Sequence, residues 1–506
     1  MLRARSALQL PTFLILGILV AIALSMFNDT RPMLMVLLIF PVVVLVITAP
    51  ELVLRAGGVI SSISWWQVLW VAVFVSGLVF RDRDIQAVES EPVDGWAVFR
   101  IAVMCITAGV LLLRLFLRRT SWLQQMHRGL IAVLAAYGLL GVASCLWSVF
   151  PPWTLYKSLE FLVDVAVLAA IVATAQSVKT YKLLLDWTWA LQGLLLGSVW
   201  LGVLIWPQDA LTPSEGVLSV SLAGVLPNVN PNTVGELGAI LGVVALCRLL
   251  RGNKKSVAMC YGGLLLVSLL TMCLAQARSG ILGFAVGIVL VLLFSGRVGL
   301  SVFLAAVSML VLSLAGVWDT ILGYMRRGET ESQLYTLSDR VDWWSMAWPK
   351  IVEHPIAGYG AFAGARFLVL AGNKVDAGGI HSDWVEMLVG TGLAGFLLGI
   401  GALVGTWWQF ITSMRDTFLT PAERQLTIEV IGVLGVESIR SVFTTDLFWH
   451  PPLIFFAAVG VAEFLRARRR DMVASLAFAK QGQVLALTIS NRVAPGTSMN
   501  RASSRL

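Results

Sequence analysis

The chain has 506 residues, 58% of them hydrophobic and only 13% charged, with a mean hydropathy of +0.83; a soluble domain carries about 25% charged residues. One soluble core cannot absorb that much apolar surface, because chains beyond about 250–300 residues divide into domains that each need a polar exterior. A soluble enzyme, a disordered protein and a disulfide scaffold are excluded, and the composition is that of a protein crossing a membrane many times.

The charge balance agrees. Lys and Arg total 37 against 29 Asp and Glu, a net charge of +8. The segment from Arg466 to Leu506 carries eight of the basic residues and one acid, Asp471, so most of the excess sits in a terminal tail. Such a tail reads as a cytoplasmic retention signal, and no nucleic-acid partner is expected. Cys105, Cys145, Cys247, Cys260 and Cys273 lie in apolar runs without CxxC spacing. That is the behaviour of small buried hydrophobes, so neither a disulfide framework nor a thiolate metal site is expected.

A helical span needs about 20 predominantly apolar residues. Taken along the chain, such runs fall at 12–27, 33–54, 63–80, 96–117, 129–149, 155–175, 187–206, 231–250, 256–276, 279–296, 298–317, 384–412, 426–441 and 451–466. They predict an all-α, polytopic transmembrane bundle of about 12–14 spans. The first run follows Arg3 and Arg5 with no small-residue cleavage site and reads as an uncleaved span. A cytoplasmic N-terminus puts Arg114, Arg128, Lys179, Lys182, Arg251, Arg297 and Arg415 on the inside. It leaves loop 81–95, acidic on balance, and loop 207–230, free of Lys and Arg, on the outside. The positive-inside rule then predicts both termini in the cytoplasm.

Three regions follow: transmembrane helices over 1–230, a chemistry-bearing region over 231–466, and a basic cytoplasmic tail over 467–506, expected to be partly disordered after Arg470. Within the second, 318–382 is one large connection placed outside, and long connections of this kind are usually functional. From Ser338 to Glu353, apolar Val341, Trp344, Ala347, Trp348, Ile351 and Val352 recur near every 3.6 residues. The spacing predicts an amphipathic helix on the outer leaflet.

Ionisable residues at span ends are candidate functional groups. Arg278 stands in the turn Ala277-Arg278-Ser279-Gly280, and its bland reading is a snorkelling anchor. Arg340 opens the amphipathic segment, and its bland reading is a surface pair with Asp339 or Asp342. His381 precedes a span whose Asp383 and Glu386 fit a D-x-x-E capping box. Asn232 follows Pro231 at a span entrance, where Asn228 and Asn230 also suit turn chemistry. Lys157, Glu160 and Asp164 share one helix face, as an ion-pair ladder or a cavity wall. Glu437 and Arg440 are most simply a local pair. His127, His354 and His450 read as structural. Gly395-x-x-x-Gly399 and Gly401-x-x-x-Gly405 suit close helix packing.

In order, Pro231-Asn232, then Ala277-Arg278-Ser279-Gly280, then Asp339-Arg340 with Glu353-His354-Pro355-Ile356-Ala357-Gly358-Tyr359-Gly360, then His381-Ser382-Asp383-Trp384-Val385-Glu386 and Gly390-Thr391-Gly392, resemble the O-antigen ligase and Wzy-polymerase superfamily over about residues 225–466. The resemblance implies a glycosyltransferase of the bacterial inner membrane. A glycan on undecaprenyl diphosphate would pass, at the periplasmic face, to an acceptor hydroxyl: lipid A-core for a ligase, another glycan for an O-antigen or exopolysaccharide polymerase. By position it implies diphosphate binding by Arg278 and Arg340 and catalysis by His381, with Asp383, Glu386, Lys157 and Asn232 in support. The sequence departs from the family in having Ser382, where Asn is frequent, and in its extra spans. Two arginines can stabilise a departing diphosphate through bidentate contacts, and a histidine with a pKa of about 6.5 suits a hydroxyl acceptor. The expected reaction is metal-independent and inverting, without a cofactor, in contact with membrane lipids. The competing readings are a lipid-linked glycan flippase, which would cleave no bond, and a membrane sensor or scaffold.

Overall fold

The computed structural model describes residues 63–78, 88, 90, 93–117, 119, 121–214, 217–252, 255–313, 316–375, 377–416 and 419–493. The runs at 12–27 and 33–54, most of the acidic connection 81–95 and the end of the tail lie outside the described residues. Hydropathy dictates helices, and helices form: α1 (Trp65–Leu78), α2 (Gly95–Phe116), α3 (Gly129–Ala143), α4 (Pro151–Thr174), α5 (Val178–Ile205), α6 (Pro231–Leu249), α7 (Lys255–Ala275) and α8 (Arg278–Phe294). They continue with α9 (Val298–Leu312), α10 (Val317–Arg326), α11 (Glu331–Tyr335), α12 (Arg340–Glu353), α13 (Asp383–Gly390), α14 (Gly392–Arg415), α15 (Pro421–Phe443) and α16 (Leu453–Val493). A short antiparallel ribbon pairs β1 (Leu211–Pro213) with β2 (Val220–Leu222) in the connection before α6.

Among the described residues, six helical segments are long and apolar enough to cross a membrane: α2, Gly129–Leu146, α5, α6, α7 and α14. The helices α1 and α8 and the stretch Val298–Leu310 are apolar but shorter. By contrast, α4 and α15 have 24 and 23 residues and carry buried charges, Glu160 and Asp164 on one and Glu429, Glu437 and Arg440 on the other. Such residues turn into a bundle and find partners there.

Three expectations need correction. The run 384–412 is two helices, because Gly392 has φ +63 and a side chain there would collide with the Ile356 carbonyl. The run 426–441 is the middle of a longer helix that starts with a capping box, Thr420 with Glu423. The tail does not leave helical structure at Arg470; α16 runs on to Val493.

At the centre, α6 packs against α5, α7, α8 and α15. The crossing of α8 and α15 is made of small residues: Gly283 lies on Val436, and a Cβ on Gly287 would stand 2.8 Å from the Gly432 carbonyl oxygen. Close backbone approach of this kind is the packing available where lipid removes the hydrophobic driving force. It draws the N-terminus of α8 beside the C-terminus of α15. Of the glycines singled out by spacing, Gly399 meets Met387 and Gly405 meets Leu130, whereas Gly401 faces open space. A second group, α3, α4, α14 and α16, closes around Tyr137, Phe161 and Phe456, whose rings meet edge to face at 5.4 and 5.7 Å.

The long connection is folded. In α12, Ala347 and Ile351 pack with Ala365, Val369, Ile380 and Val389, while Val341, Trp348 and Val352 are exposed. The amphipathic face expected of this helix is thus divided between the protein and its outer side. Backbone bonds from Tyr359 N–H to the Val389 carbonyl (2.9 Å), Gly360 to Gly390 (2.8 Å) and Leu393 to Pro355 (2.7 Å) lock the segment after α12 onto the α13–α14 junction. The glycines of both motifs permit that contact: Gly358 has φ +61, and a Cβ there would sit 2.6 Å from the Gly390 carbonyl.

Candidate functional site

A cavity of about 90 Å³ is lined by Asn232, Arg278, Ser279, Leu282, Arg327, Leu337, Ser338, Arg340 and Phe443. Asn232, Arg278 and Arg340 stand in the first turns of α6, α8 and α12, so three helix N-termini converge. Leading N–H groups have no intrahelical partner, and the macrodipole places about half a positive charge at each such end. Neither Ala277 before α8 nor Asp339 before α12 caps its helix with a side-chain bond. Helix N-termini and guanidinium groups together favour an anion.

The walls include unusual backbone. Arg327, Leu337 and Ser338, with Asp339 next in the chain, have φ of +52, +55, +60 and +64, a region that costs non-glycine residues about 1–3 kcal/mol each. The surrounding contacts hold them there. Arg327 donates from Nη1 to the Gln276 carbonyl at 3.1 Å, and Gln276 donates from Nε2 to the Val220 carbonyl of β2 at 2.7 Å. The ribbon thus anchors the turn that presents Arg278.

Glu329 pairs with Arg278 and, at 3.3 Å, with Arg327, and its Oε1 accepts from Ser338 Oγ at 2.9 Å. Arg340 forms no ion pair among the described residues, which removes the surface pairing with Asp339 or Asp342 as its explanation. Burial, then the charges of Arg327, Arg440 and Arg278, push its guanidinium down to about 10. Like charges gathered around one space are the electrostatic signature of a binding site for the opposite charge.

Behind the lining residues Asn232 and Ser279, Arg440 is fully buried. It binds Glu236 at 2.6 Å and Asp446 at 2.7 Å, and donates to the Asn232 carbonyl and Ser279 Oγ at 3.3 Å each. The local pairing with Glu437 expected from spacing is corrected: the partners of Arg440 lie on α6 and in the connection after α15, where its charge is compensated.

His381 is not in the cavity wall but is tied to it through α12. Its ring stacks on Trp343 at 5.5 Å with 29° between planes, and Trp344 Nε1 donates to the Ile380 carbonyl at 3.1 Å. Burial and then the Arg340 charge lower its imidazole to about 4, against an opposing pull from Asp446. The ring is therefore neutral at pH 7. Ser382, not Asp383, caps α13, accepting from the Val385 N–H at 3.5 Å, so the D-x-x-E capping box is corrected. Asp383 instead accepts from the backbone N–H groups of Asp446 and Leu447 at 3.1 and 3.0 Å. It holds the connection that carries Asp446 to Arg440. Glu386 is buried on the same helix.

Lys157 belongs elsewhere. It binds Glu160 at 3.0 Å, and Glu160 also accepts two bonds from Arg100 at 2.5 and 2.8 Å. Asp164 binds His450 Nδ1 at 2.6 Å, and His450 Nε2 lies 2.7 Å from Ser76 Oγ. The expected ladder exists, extended by Arg100 and His450, but Lys157 is not part of the arginine cavity. What sequence reasoning missed is Arg327 and Glu329, visible only as one charged patch in a long connection, and Arg440 as the buried support of Asn232 and Ser279.

Residues 263–400 match the family model described as O-antigen ligase. A comparison with curated proteins finds no match. The matched stretch contains Arg278, Arg327, Glu329, Arg340 and His381, while Asn232 and Arg440 flank it. Residues 263–400 thus carry a domain of the O-antigen ligase type, in a chain whose described residues include several helices long and apolar enough for a multi-pass membrane protein.

Proposed function

We propose that the protein moves a glycan from undecaprenyl diphosphate to an acceptor hydroxyl at the periplasmic face, as a ligase or a polymerase. The reading is carried by one observation: Arg278, Arg327 and Arg340 line one cavity on which the N-termini of α6, α8 and α12 converge, with a neutral His381 stacked on the helix that bears Arg340. The arginines hold the diphosphate. The bond from the anomeric carbon to the diphosphate oxygen breaks, and the leaving diphosphate takes the electron pair. The acceptor oxygen bonds to the anomeric carbon from the opposite face, which inverts it, and the acceptor proton passes to His381. Fixed donors aimed at charge that develops in the transition state contribute about 2.7–4 kcal/mol each. Three guanidiniums supply, in this scheme, the charge stabilisation that other transferases take from a metal.

The test uses full-length protein in lipid nanodiscs with a labelled undecaprenyl-diphosphate glycan and acceptor. Release of undecaprenyl diphosphate with label on the acceptor is expected, falling at least about a hundredfold in Arg278→Gln and His381→Ala. Unchanged transfer in either variant refutes the assignment. Leaflet exchange of intact donor without cleavage would favour the flippase reading.

A further inference from the structure

The Glu329 carboxylate sits where an anion is expected. Three groups hold it, the Arg278 guanidinium, Arg327 Nη2 at 3.3 Å and Ser338 Oγ at 2.9 Å, and all three of these residues line the cavity. Two guanidiniums and a hydroxyl aimed at one anionic group are a donor set suited to a phosphoryl group. Glu329 is also placed to leave. It stands on the short link between α10 and α11, beside Gly328 at φ +81, and its side chain is 19% exposed, so withdrawal unpacks no helix.

We infer that Glu329 keeps the place of a phosphoryl group: Arg278, Arg327 and Ser338 form an anion subsite that Glu329 fills in the free protein and vacates when a diphosphate binds. The inference rests on the proposed function and deepens it, because it adds Arg327 and Ser338 to the diphosphate ligands. Charge matching supports it. With Glu329 seated, its carboxylate offsets one of the three cavity arginines in the free protein. With Glu329 withdrawn they present three positive charges, enough for the two of a bound diphosphate diester and for the further charge it gains when its bond to the sugar breaks.

Inorganic pyrophosphate binding to the full chain in nanodiscs, followed by calorimetry, tests this. Glu329→Gln is expected to bind about tenfold more tightly than the wild type, since a competing carboxylate is gone. Glu331→Gln is the control: it makes the same charge change two residues away, where Glu331 pairs with exposed Arg326 at 2.7 Å, and it should leave affinity unchanged. Adding Arg327→Gln to Glu329→Gln should remove most of the gain. Equal affinity of Glu329→Gln and wild type, an equal gain in Glu331→Gln, or no pyrophosphate binding to Glu329→Gln overturns the inference. Should Arg278→Gln abolish transfer while Glu329→Gln gains nothing, the subsite fails and the proposed function stands. Should Arg278→Gln leave transfer intact, the function itself fails.

Discussion

Removing the Arg340 charge should move the acid limb of activity, because burial and that charge together hold His381 at about 4 against an unperturbed value of about 6.5. The difference corresponds to about 3 kcal/mol between the two protonation states. A protonated imidazole cannot accept the acceptor proton, so activity is present above the folded pKa and lost as pH falls through it. For wild type, kcat/KM reports the free enzyme and should hold down to near pH 4. Arg340→Gln should shift that midpoint upward, stopping short of 6.5 because burial is the larger cause. In kcat, which reports the bound complex, the wild-type midpoint should lie above that of kcat/KM, since a bound diphosphate offsets Arg340. The assay is the rate of undecaprenyl diphosphate release between pH 3.5 and 9, with folding at each pH checked by intrinsic fluorescence. A wild-type midpoint near 6.5, or one that Arg340→Gln leaves in place, would refute the reasoning.

Arg440→Ala should lower stability by about 3–5 kcal/mol, because it leaves buried Glu236 and half-buried Asp446 without their cation; thermal unfolding of purified protein in detergent measures it. Gly392→Ala should cost about 1–3 kcal/mol from overpacking, with added strain at φ +63, read in the same unfolding experiment. Trp343→Ala removes the ring under His381, and misplacing a catalytic group can cost up to about a hundredfold in rate. Its kcat should therefore fall while pyrophosphate affinity stays unchanged, and a matching loss of affinity would place His381 among the binding groups instead.

Much of this architecture is written in hydropathy. Every apolar run that falls among the described residues lies on a helix, since in lipid the backbone must satisfy its own hydrogen bonds and a helix does so within one segment. The amphipathic repeat around Trp344 and Ile351, the turn at Arg278 and the glycine motifs after Glu353 are likewise local, set by side-chain spacing and by φ. Arg278, Arg340 and Asn232 were legible as residues at helix starts, where leading N–H groups lack intrahelical partners.

The partners were not local. Arg440 finds Glu236 across 204 residues and Arg278 finds Glu329 across 51, where spacing alone had offered the nearer Glu437 for the first and a snorkelling anchor for the second. Only the glycine-lined crossing of α8 over α15 brings Ser279, next to Arg278, against Arg440, and only the turn at 337–339, with its positive φ, places Arg340 and Ser338 around the same space. Lys157 shows the converse: its helix face was legible, yet packing of α4 against α2 turned it toward Arg100 and Glu160, away from the arginines. Coulomb energy depends on distance and dielectric, and both are properties of the folded bundle, so the sequence determined which segments enter the membrane while tertiary packing decided which charges meet.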